Sequence, residues 1–360
     1  MDWSHLQNAR VVRLNATLFP ISDYEAGLYR QYNLRPIEVE ANTPEAIIPH
    51  VAGCDALSAI SVALPAPVVE ALQHCRVISR LGTGTDKIAV EVATRRGILV
   101  TNVPYFCVEE QADHTLALLL SLTRKIPQMS AAMVAGAFSQ ARSLSRLNQR
   151  MHGRTLGLVG FGNSARLVAQ RAQGFGLRVL ATRRQRHTAN VEAEQLGVTM
   201  TELDTVLHES DYVSLHLPLT AETYHLIDDT ALRKMKPDAL LINTSRGALV
   251  DENALVLALR EGRLGGAGLD TFEQMDVFTP NEAPPSHPLL ELENVILTPH
   301  VAAGSVQSGQ DVSRGGIENV VAVLGGYWPS PGNLVNAGVV PRFPLRDYEQ
   351  SLFESGKVSK

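Results

Sequence analysis

Short runs of β-branched and aliphatic residues alternate with helical stretches along most of the chain, and this alternation constrains the fold more than any other feature. In the first part of the chain, strands are predicted over 11–14, 37–40, 56–60, 76–81 and 98–103. Helices are predicted between them over 23–32, 44–52, 66–73 and 86–96. A parallel neighbour strand needs a crossover connection, which is usually a helix. The sequence therefore predicts an α/β fold with parallel sheets.

An amphipathic helix predicted over 108–126 separates this series from a second one. The strands of the second series are predicted over 156–160, 178–182, 212–216, 239–244, 266–270 and 295–300. A length of 360 residues suits two domains, since domains typically have about 100–200 residues. The segment 337–360 contains prolines and ends in polar residues, and we interpret it as a tail.

Composition and charge exclude several classes of protein. The net charge of −5 is unlike the basic surface of a nucleic-acid binder. No signal peptide is predicted, and the apolar helical stretch 116–122 is far shorter than the span of about 20 residues that a membrane requires. Cys54, Cys75 and Cys107 lie far apart, so neither a disulfide framework nor a metal site is predicted, and a reducing cytoplasm is the expected location.

A glycine-rich turn after the first strand of the second series is the strongest local signal. The turn consists of Gly160, Phe161, Gly162, Asn163, Ser164 and Ala165. In the G-x-G-x-x-G/A pattern, Gly160 allows the tight turn, Gly162 admits a diphosphate close to the backbone, and Ala165 permits close helix–strand packing. The N–H groups of Asn163 and Ser164 open the following helix, where anions bind. We predict a dinucleotide-binding turn; a turn that binds nothing is the alternative.

The end of the next predicted strand indicates which dinucleotide is bound. This strand ends in Thr182, Arg183 and Arg184, and no carboxylate stands where the ribose 2′-hydroxyl of NAD would be bound. Arg183 can pair with the 2′-phosphate of NADP, and Arg184 can stack on adenine. The alternative is a solvated basic strand end. We therefore predict that NADP is preferred, with NAD as the second cofactor.

Three further segments place polar side chains directly after predicted strands, at 242–251, 266–273 and 297–300. Ligands of open α/β sheets bind at this edge. Together with the glycine turn, these segments resemble the D-isomer-specific 2-hydroxyacid dehydrogenase family, which includes glyoxylate/hydroxypyruvate reductases. The resemblance covers about residues 50–336 and includes 80–104. It implies an enzyme that transfers a hydride between NAD(P)(H) and C2 of a small 2-keto or 2-hydroxy acid.

The resemblance also implies the architecture, with two doubly wound parallel-sheet domains. A Rossmann-like dinucleotide-binding domain, residues 106–302, would be inserted into a flavodoxin-like substrate domain formed by 1–105 and 303–336. The remaining residues, 337–360, would be the tail. Homodimers are common in this family, so a homodimer is expected.

The resemblance further implies roles for individual residues. Arg246 would bind the substrate carboxylate, for which a planar guanidinium is suited, and His300 would be the proton donor and acceptor. The backbone N–H groups of Gly82, Thr83 and Gly84 would bind the same carboxylate.

Three more residues, Thr244, Ser245 and Asp270, are implied in binding the cofactor, the first and last beside its nicotinamide half. Structural roles are the alternatives: Arg246 could cap a helix or pair with an acid, His300 could be a satisfied structural histidine, and Asp270 could be an ordinary strand-end acid.

One departure from the family pattern concerns the partner of His300. The family carries a carboxylate five residues after the aspartate that Asp270 matches, and Met275 occupies that place. A carboxylate there would raise the pKa of the histidine and fix its tautomer. Three alternatives stay open: Glu273 or Asp276 substitutes, the site works without the partner, or catalysis is weak or lost.

Two other functions stay open from the sequence alone. The chain could be a dinucleotide-sensing, corepressor-like binding protein with weak or no catalysis, or a phosphite-type oxyanion dehydrogenase. The presence of both Arg246 and His300 favours a catalytically active enzyme, whereas Met275 slightly favours the binding protein.

Overall fold

The computed structural model describes residues 3–15, 17–184, 191–278, 286–349 and 352–353. The chain divides into two compact units. The first unit combines Met1–Phe106 with Ser305–Lys360, and the second unit, Cys107–Gly304, lies between these two parts in the sequence. Each unit has its own parallel sheet. Two parallel-sheet α/β domains, with the Rossmann-like one inserted in the chain, are thus confirmed.

The regular elements are numbered along the whole chain. The strands are β1 (Val11–Leu14), β2 (Ile37–Val39), β3 (Ala56–Ala59), β4 (Val77–Arg80), β5 (Leu99–Thr101), β6 (Thr155–Val159), β7 (Arg178–Thr182), β8 (Thr199–Met200), β9 (Tyr212–Leu215), β10 (Leu240–Asn243), β11 (Gly266–Leu269) and β12 (Val295–Leu297). The helices are α1 (Asp23–Gln31), α2 (Pro44–Val51), α3 (Ala66–Ala71), α4 (Val90–Arg95), α5 (Val108–Arg124), α6 (Ile126–Val134), α7 (Phe138–Leu144), α8 (Asn163–Gly174), α9 (Val191–Gln195), α10 (Leu203–Glu209), α11 (Asp229–Lys234), α12 (Glu252–Arg260) and α13 (Val306–Leu324).

The sheet of the first unit has the strand order β2-β1-β3-β4-β5, which is the flavodoxin-like order. Successive residues of a strand point to opposite faces, and here both faces are covered. Ile78 and Val100 belong to the core on one face, whereas Val77 and Leu99 belong to the core on the other, with Ile317 of α13. Burial on both faces explains why consecutive residues of β4 and β5 are apolar, as at Val77 and Ile78 and at Leu99 and Val100.

One predicted helix of the first unit is shorter than expected. The helix predicted over 86–96 begins at Val90, because the residues before it form an extended bridge. Ile88 pairs in parallel with Leu64, and Leu64 exchanges backbone hydrogen bonds with Lys87 and Ala89. This bridge holds the chain out of the helical conformation until Val90.

The sheet of the second unit has the strand order β12-β11-β10-β9-β6-β7-β8, all parallel. The chain starts in the middle at β6, adds β7 and β8 on one side, and then adds β9 to β12 on the other. The order therefore reverses between β6 and β9, and ligands of doubly wound sheets bind at such a switch point. The short strand β8 was not predicted, since two residues carry no periodicity.

The long helix α5 packs against this sheet where β11 has a glycine. A Cβ atom on Gly268 of β11 would lie 3.0 Å from the Cβ of Leu118 and 3.1 Å from a methyl carbon of Ile242. The absent side chain thus lets α5 approach the strand closely. The helix ends at Arg124, because Lys125 has a left-handed backbone with φ 52°.

Residues after 336 contribute to the first unit's core. Val339 and Leu352 are buried in the cluster that contains Trp3 and Tyr29, and the ring of Phe353 stacks on Trp3 at 6.2 Å. The described part of the segment interpreted as a tail therefore packs on the domain. Among the helices in the described ranges, none combines the length and apolar character needed to cross a membrane.

Candidate active site

The glycine turn follows β6 and begins at a position where any residue with a side chain is strongly disfavoured. Gly160 has φ 97°, and a Cβ atom there would overlap the carbonyl oxygen of His216 and lie 2.6 Å from its carbonyl carbon. The N–H of Gly160 donates to the carbonyl oxygen of Thr182 at the end of β7, at 3.0 Å. The turn therefore packs between the ends of β7 and β9, the two strands that flank β6.

The second glycine of the turn leaves open space instead. Gly162 precedes α8 with φ −89° and ψ −165°, and a Cβ atom there would meet no heavy atom within 4 Å. Among the described residues, no side chain caps the first N–H groups of α8, which belong to Asn163, Ser164 and Ala165. Ala165 itself is buried in the core. An uncapped helix N-terminus with a bare backbone beside it fits a diphosphate.

A buried histidine that is not among the predicted site residues lies behind the turn. His216 directly follows β9; its Nδ1 lies 3.3 Å from the hydroxyl of Ser164 and its Nε2 lies 2.9 Å from that of Ser214. Burial lowers the pKa of His216 to about 4, so the ring is neutral at pH 7. A neutral imidazole has one donor and one acceptor nitrogen, which suits two hydroxyl partners. The feature of the sequence that could have indicated His216 is its position at the end of a predicted strand.

The basic pair predicted to select the cofactor follows β7 at the same edge. Arg183 is half-buried and Arg184 is exposed. The pKa of Glu222 is lowered, first by a hydrogen bond from Thr220 and also by the charge of Arg184. Arg184 therefore lies within electrostatic reach of the loop that follows β9.

The loop after β10 carries Arg246 and is fixed by the side chain of Asn243. The amide of Asn243 donates to the carbonyl oxygen of Arg246 at 2.8 Å and accepts from the N–H of Ser245 at 3.0 Å. The hydroxyl of Ser245 donates to the carbonyl oxygen of Leu215 at 2.7 Å. Nη1 of Arg246 donates to the carbonyl oxygen of Ser245 at 2.7 Å. The backbone that presents the guanidinium is thus pinned at the strand edge.

Thr244 faces the helix α5 from this loop. Its carbonyl oxygen accepts a hydrogen bond from the Gln111 side chain at 2.8 Å, and its hydroxyl lies 3.1 Å from the hydroxyl of Thr115. Thr244 and Ser245 are both buried. Their side-chain hydroxyls therefore tie the loop to its neighbours in this structure.

Asp270, directly after β11, binds the loop that carries His300. Its carboxylate accepts from the hydroxyl of Thr298 at 2.6 Å and from the N–H groups of Val301 at 2.9 Å and Ala302 at 2.8 Å. The side chain is fully buried. His300 has a left-handed backbone with φ 58°. The Asp270 carboxylate therefore holds the chain on both sides of His300, which has a strained backbone. The predicted role of Asp270 as a cofactor contact did not include this structural function.

The missing carboxylate at Met275 is not replaced by Glu273. The carboxylate of Glu273 lies 2.7 Å from Nε2 of His225 and accepts a hydrogen bond from the hydroxyl of Tyr224 at 3.0 Å. Glu273 is therefore engaged at His225 rather than at His300. Substitution by Glu273, one of the alternatives left open by the sequence, is thus absent from this structure.

The segment after Met275 approaches His300 through an aromatic ring. A carboxylate oxygen of Asp276 accepts from the N–H of Phe278 at 2.9 Å. The ring of Phe278 lies 5.1 Å from the His300 imidazole, centroid to centroid. Residues 279–285 lie outside the described residues.

The predicted carboxylate-binding loop belongs to the first unit, whereas the other predicted site residues belong to the second. The carbonyl oxygens of Gly82 and Thr83 accept from Val103 N–H at 3.0 Å and the Asn102 side chain at 2.7 Å. The N–H of Gly82 is bonded within the turn, 2.9 Å from a carbonyl oxygen. Among the described residues, nothing accepts from the N–H groups of Thr83 and Gly84. Two of the three predicted N–H groups are thus available to an anion.

Within the described ranges, no group of three His, Cys, Asp or Glu residues could hold a metal ion.

Comparisons with known proteins identify the family of this chain. The profile described as "D-isomer specific 2-hydroxyacid dehydrogenase, NAD binding domain" matches residues 116–302. A glyoxylate reductase of Korarchaeum cryptofilum is 43% identical over 299 residues, which are 82% of this chain and 86% of that protein. A glyoxylate reductase of Thermococcus litoralis is 39% identical over 282 residues, or 77% of this chain and 82% of that protein.

Among solved structures, an NADPH-dependent glyoxylate/hydroxypyruvate reductase from Sinorhizobium meliloti, in complex with NADP and malonate, has a TM-score of 0.79 and 29% identity. The match covers 94% of this chain and 99% of that one. A D-lactate dehydrogenase from Aquifex aeolicus, complexed with NAD and lactic acid, has a TM-score of 0.79 and 27% identity, with 91% and 99% covered. This chain belongs to the D-isomer-specific 2-hydroxyacid dehydrogenase family and is an NAD(P)-dependent 2-hydroxyacid dehydrogenase.

Proposed function

We propose that this enzyme reduces glyoxylate or a closely related small 2-keto acid, such as hydroxypyruvate, and that it prefers NADPH. The observation that carries the proposal is the common edge of the second sheet. The glycine turn, Arg246 and His300 follow β6, β10 and β12, which are parallel strands of one sheet. Parallel strands end at one edge, so an anion-binding turn, a guanidinium and an imidazole share that edge.

In the proposed reaction, a bound NADPH would be the source of the hydride that C2 of the keto acid receives. Arg246 binds the substrate carboxylate and polarises the neighbouring carbonyl, for which its planar, permanently charged guanidinium is suited. As the hydride arrives, His300 gives a proton to the carbonyl oxygen, and the product is the 2-hydroxy acid. In the oxidative direction the neutral imidazole takes the proton back. The backbone N–H groups of Thr83 and Gly84, in the first unit, would bind the same carboxylate.

For the cofactor we propose the contacts that the sequence predicted. The diphosphate would lie on the N–H groups of Asn163, Ser164 and Ala165, beside Gly160 and Gly162. The open space at Gly162 supports this assignment. Thr244 and Asp270 would lie beside the nicotinamide half and Ser245 would also bind the cofactor, while the Asp270 carboxylate holds the His300 loop.

The preference for NADPH rests on Arg183 and Arg184. It is tested by the kcat/KM values for NADPH and NADH with glyoxylate. We expect Arg183→Ser to raise the KM for NADPH by about tenfold or more while changing the KM for NADH little, because a charge-assisted bond to the 2′-phosphate is lost. Arg178→Ser is the matched control, since Arg178 lies at the opposite end of β7 and pairs with Glu209. A wild-type preference for NADH would refute the assignment.

The catalytic roles are tested by substitution at the two charged positions. His300→Asn should lower kcat by about a hundredfold or more, because general acid catalysis typically contributes that much. Arg246→Gln should chiefly raise the KM for glyoxylate, because a charged bond to the carboxylate is lost. His208→Asn is the control, since His208 is on α10 and bonds to the Asp204 backbone. If His300→Asn kept wild-type kcat, the proton-transfer role would be wrong.

The same assays separate the other functions that the sequence left open. Tight NADPH binding without turnover of any 2-keto acid would favour a dinucleotide-sensing binding protein. Reduction of NADP by phosphite, with no carboxylic acid present, would favour the oxyanion dehydrogenase.

We also propose a homodimer in a reducing cytoplasm. Exposed apolar side chains cluster in sequence on α6 and α7, including Met133, Val134 and Phe138, and such patches mark association surfaces. All three cysteines are free thiols. Sedimentation equilibrium of the protein tests the dimer; a monomer at micromolar concentration would exclude it.

A further inference from the structure

The side chain of Arg80 folds back beneath the loop that follows β4. Its Nε donates to the carbonyl oxygen of Gly84 at 3.1 Å, and its Nη1 donates to that of Leu81 at 2.6 Å. The same Nη1 lies 3.5 Å from the carbonyl oxygen of Ala59 on the neighbouring strand. One guanidinium therefore joins both ends of the loop to the sheet.

The loop has a glycine where it meets this guanidinium. Gly82 has φ 150°, and a Cβ atom there would lie 2.8 Å from Nη1 and 3.0 Å from Cζ of Arg80. Any larger residue would push the guanidinium away. The close approach shows that loop backbone and guanidinium pack directly against each other.

All four carbonyl groups of the loop are engaged. Those of Leu81 and Gly84 bind Arg80, and those of Gly82 and Thr83 bind Val103 and Asn102, as described above. A trans peptide is planar, so its N–H points away from its C=O. The Thr83 and Gly84 N–H groups share their peptide planes with the Gly82 and Thr83 carbonyls, and the planes on either side, those of the Leu81 and Gly84 carbonyls, are held by Arg80. The N–H groups of Thr83 and Gly84 have no acceptor among the described residues, and successive N–H groups of this kind form anion-binding concavities.

We propose that Arg80 is a positioning residue for substrate binding. It does not touch the substrate; its hydrogen bonds to the Leu81 and Gly84 carbonyl oxygens hold the two peptide planes that adjoin those of the Thr83 and Gly84 N–H groups, and its charge adds a positive potential beside them. This inference rests on the proposed function, in which these N–H groups bind the carboxylate of the keto acid. It predicts that loss of the guanidinium weakens binding of the keto acid and leaves the dinucleotide unaffected.

The experiment compares Arg80→Ala with Arg96→Ala in the full-length enzyme. Arg96 is the matched control, because in the same unit its Nη2 also donates to a backbone carbonyl, that of Leu72, at 2.7 Å. We expect Arg80→Ala to raise the KM for glyoxylate by about tenfold or more, with the Kd for NADPH changed by less than about twofold. Millimolar guanidinium ion should lower the raised KM of Arg80→Ala and should leave Arg96→Ala unchanged.

Each outcome decides the inference. A folded Arg80→Ala enzyme with the wild-type KM for glyoxylate, or an equal loss of NADPH affinity, would overturn it while the proposed function stands. Inability of the wild-type enzyme to reduce any 2-keto acid would overturn the proposed function, and the inference with it. If Arg80→Ala does not fold, Arg80→Lys decides, because one ammonium cannot reproduce the guanidinium's fork to two carbonyls; a wild-type KM in that variant would refute the role.

Discussion

Alanine at Gly160 should destabilise the fold, whereas alanine at Gly162 should preserve the fold and weaken cofactor binding. At Gly160, the added methyl group would lie 2.6 Å from the carbonyl carbon of His216, whereas carbon atoms in contact lie about 3.5 Å apart. The strand end would have to move by roughly 1 Å, and such overpacking typically costs about 1–3 kcal/mol. The φ of 97° adds about 1–2 kcal/mol for a residue with a Cβ. Gly160→Ala should therefore destabilise the protein by about 2–5 kcal/mol.

At Gly162, alanine meets no atom within 4 Å and its backbone angles are open to any residue. A glycine replaced at such a position gains about 0.4–1 kcal/mol, because the unfolded chain loses freedom. The methyl group would, however, stand where a diphosphate approaches the backbone. Gly162→Ala should fold at least as stably as the wild-type protein, and its Kd for NADPH should rise about a hundredfold, or roughly 2.7 kcal/mol.

The assay measures the two properties separately. Urea unfolding without cofactor, followed by circular dichroism, gives the stability of both variants, and quenching of intrinsic fluorescence gives the NADPH affinity. Wild-type stability in Gly160→Ala would refute the steric argument. Wild-type NADPH affinity in Gly162→Ala would refute the placement of the diphosphate.

Three other predictions test buried groups and the altered catalytic segment. Burial lowers the pKa of His216 from 6.5 to about 4, so between these pH values only the unfolded histidine takes up a proton. Acidification from pH 6.5 toward 4 should therefore lower the free energy of unfolding by up to about 3 kcal/mol. Urea titrations of His216→Asn should lack this contribution. The side chains of Arg13 and Glu25 form an ion pair at 2.7 Å and are almost fully buried, so Glu25→Gln should lower the free energy of unfolding by about 3–5 kcal/mol. A Tm equal to that of the wild-type protein would refute this prediction. Met275→Glu should move the pH limb of keto-acid reduction upward by about one unit, because a carboxylate raises the pKa of a nearby imidazolium, whereas Met275→Gln should leave it unchanged.

Every strand in the described residues except β8 was predictable, because most of them are short, largely apolar runs with a clear end. The strand ends, in turn, located the polar residues at one edge of the sheet. The helix boundary at Val90 was not predictable, because the preceding bridge pairs Ile88 with Leu64, 24 residues earlier by sequence number. Local propensity contains no information about such a pairing.

No local sequence pattern could have predicted which side chains of the site bind to each other. Glu273 is three residues from Asp270 in sequence, yet it binds His225, which comes from the loop between β9 and α11. Asp270 binds the backbone after β12, and His216 binds a serine of the glycine turn. These contacts join strand ends that are far apart in the sequence and neighbouring in the sheet. Residue type at a strand end therefore indicates which chemistry is available, whereas strand order decides which of two nearby acids fixes the histidine loop.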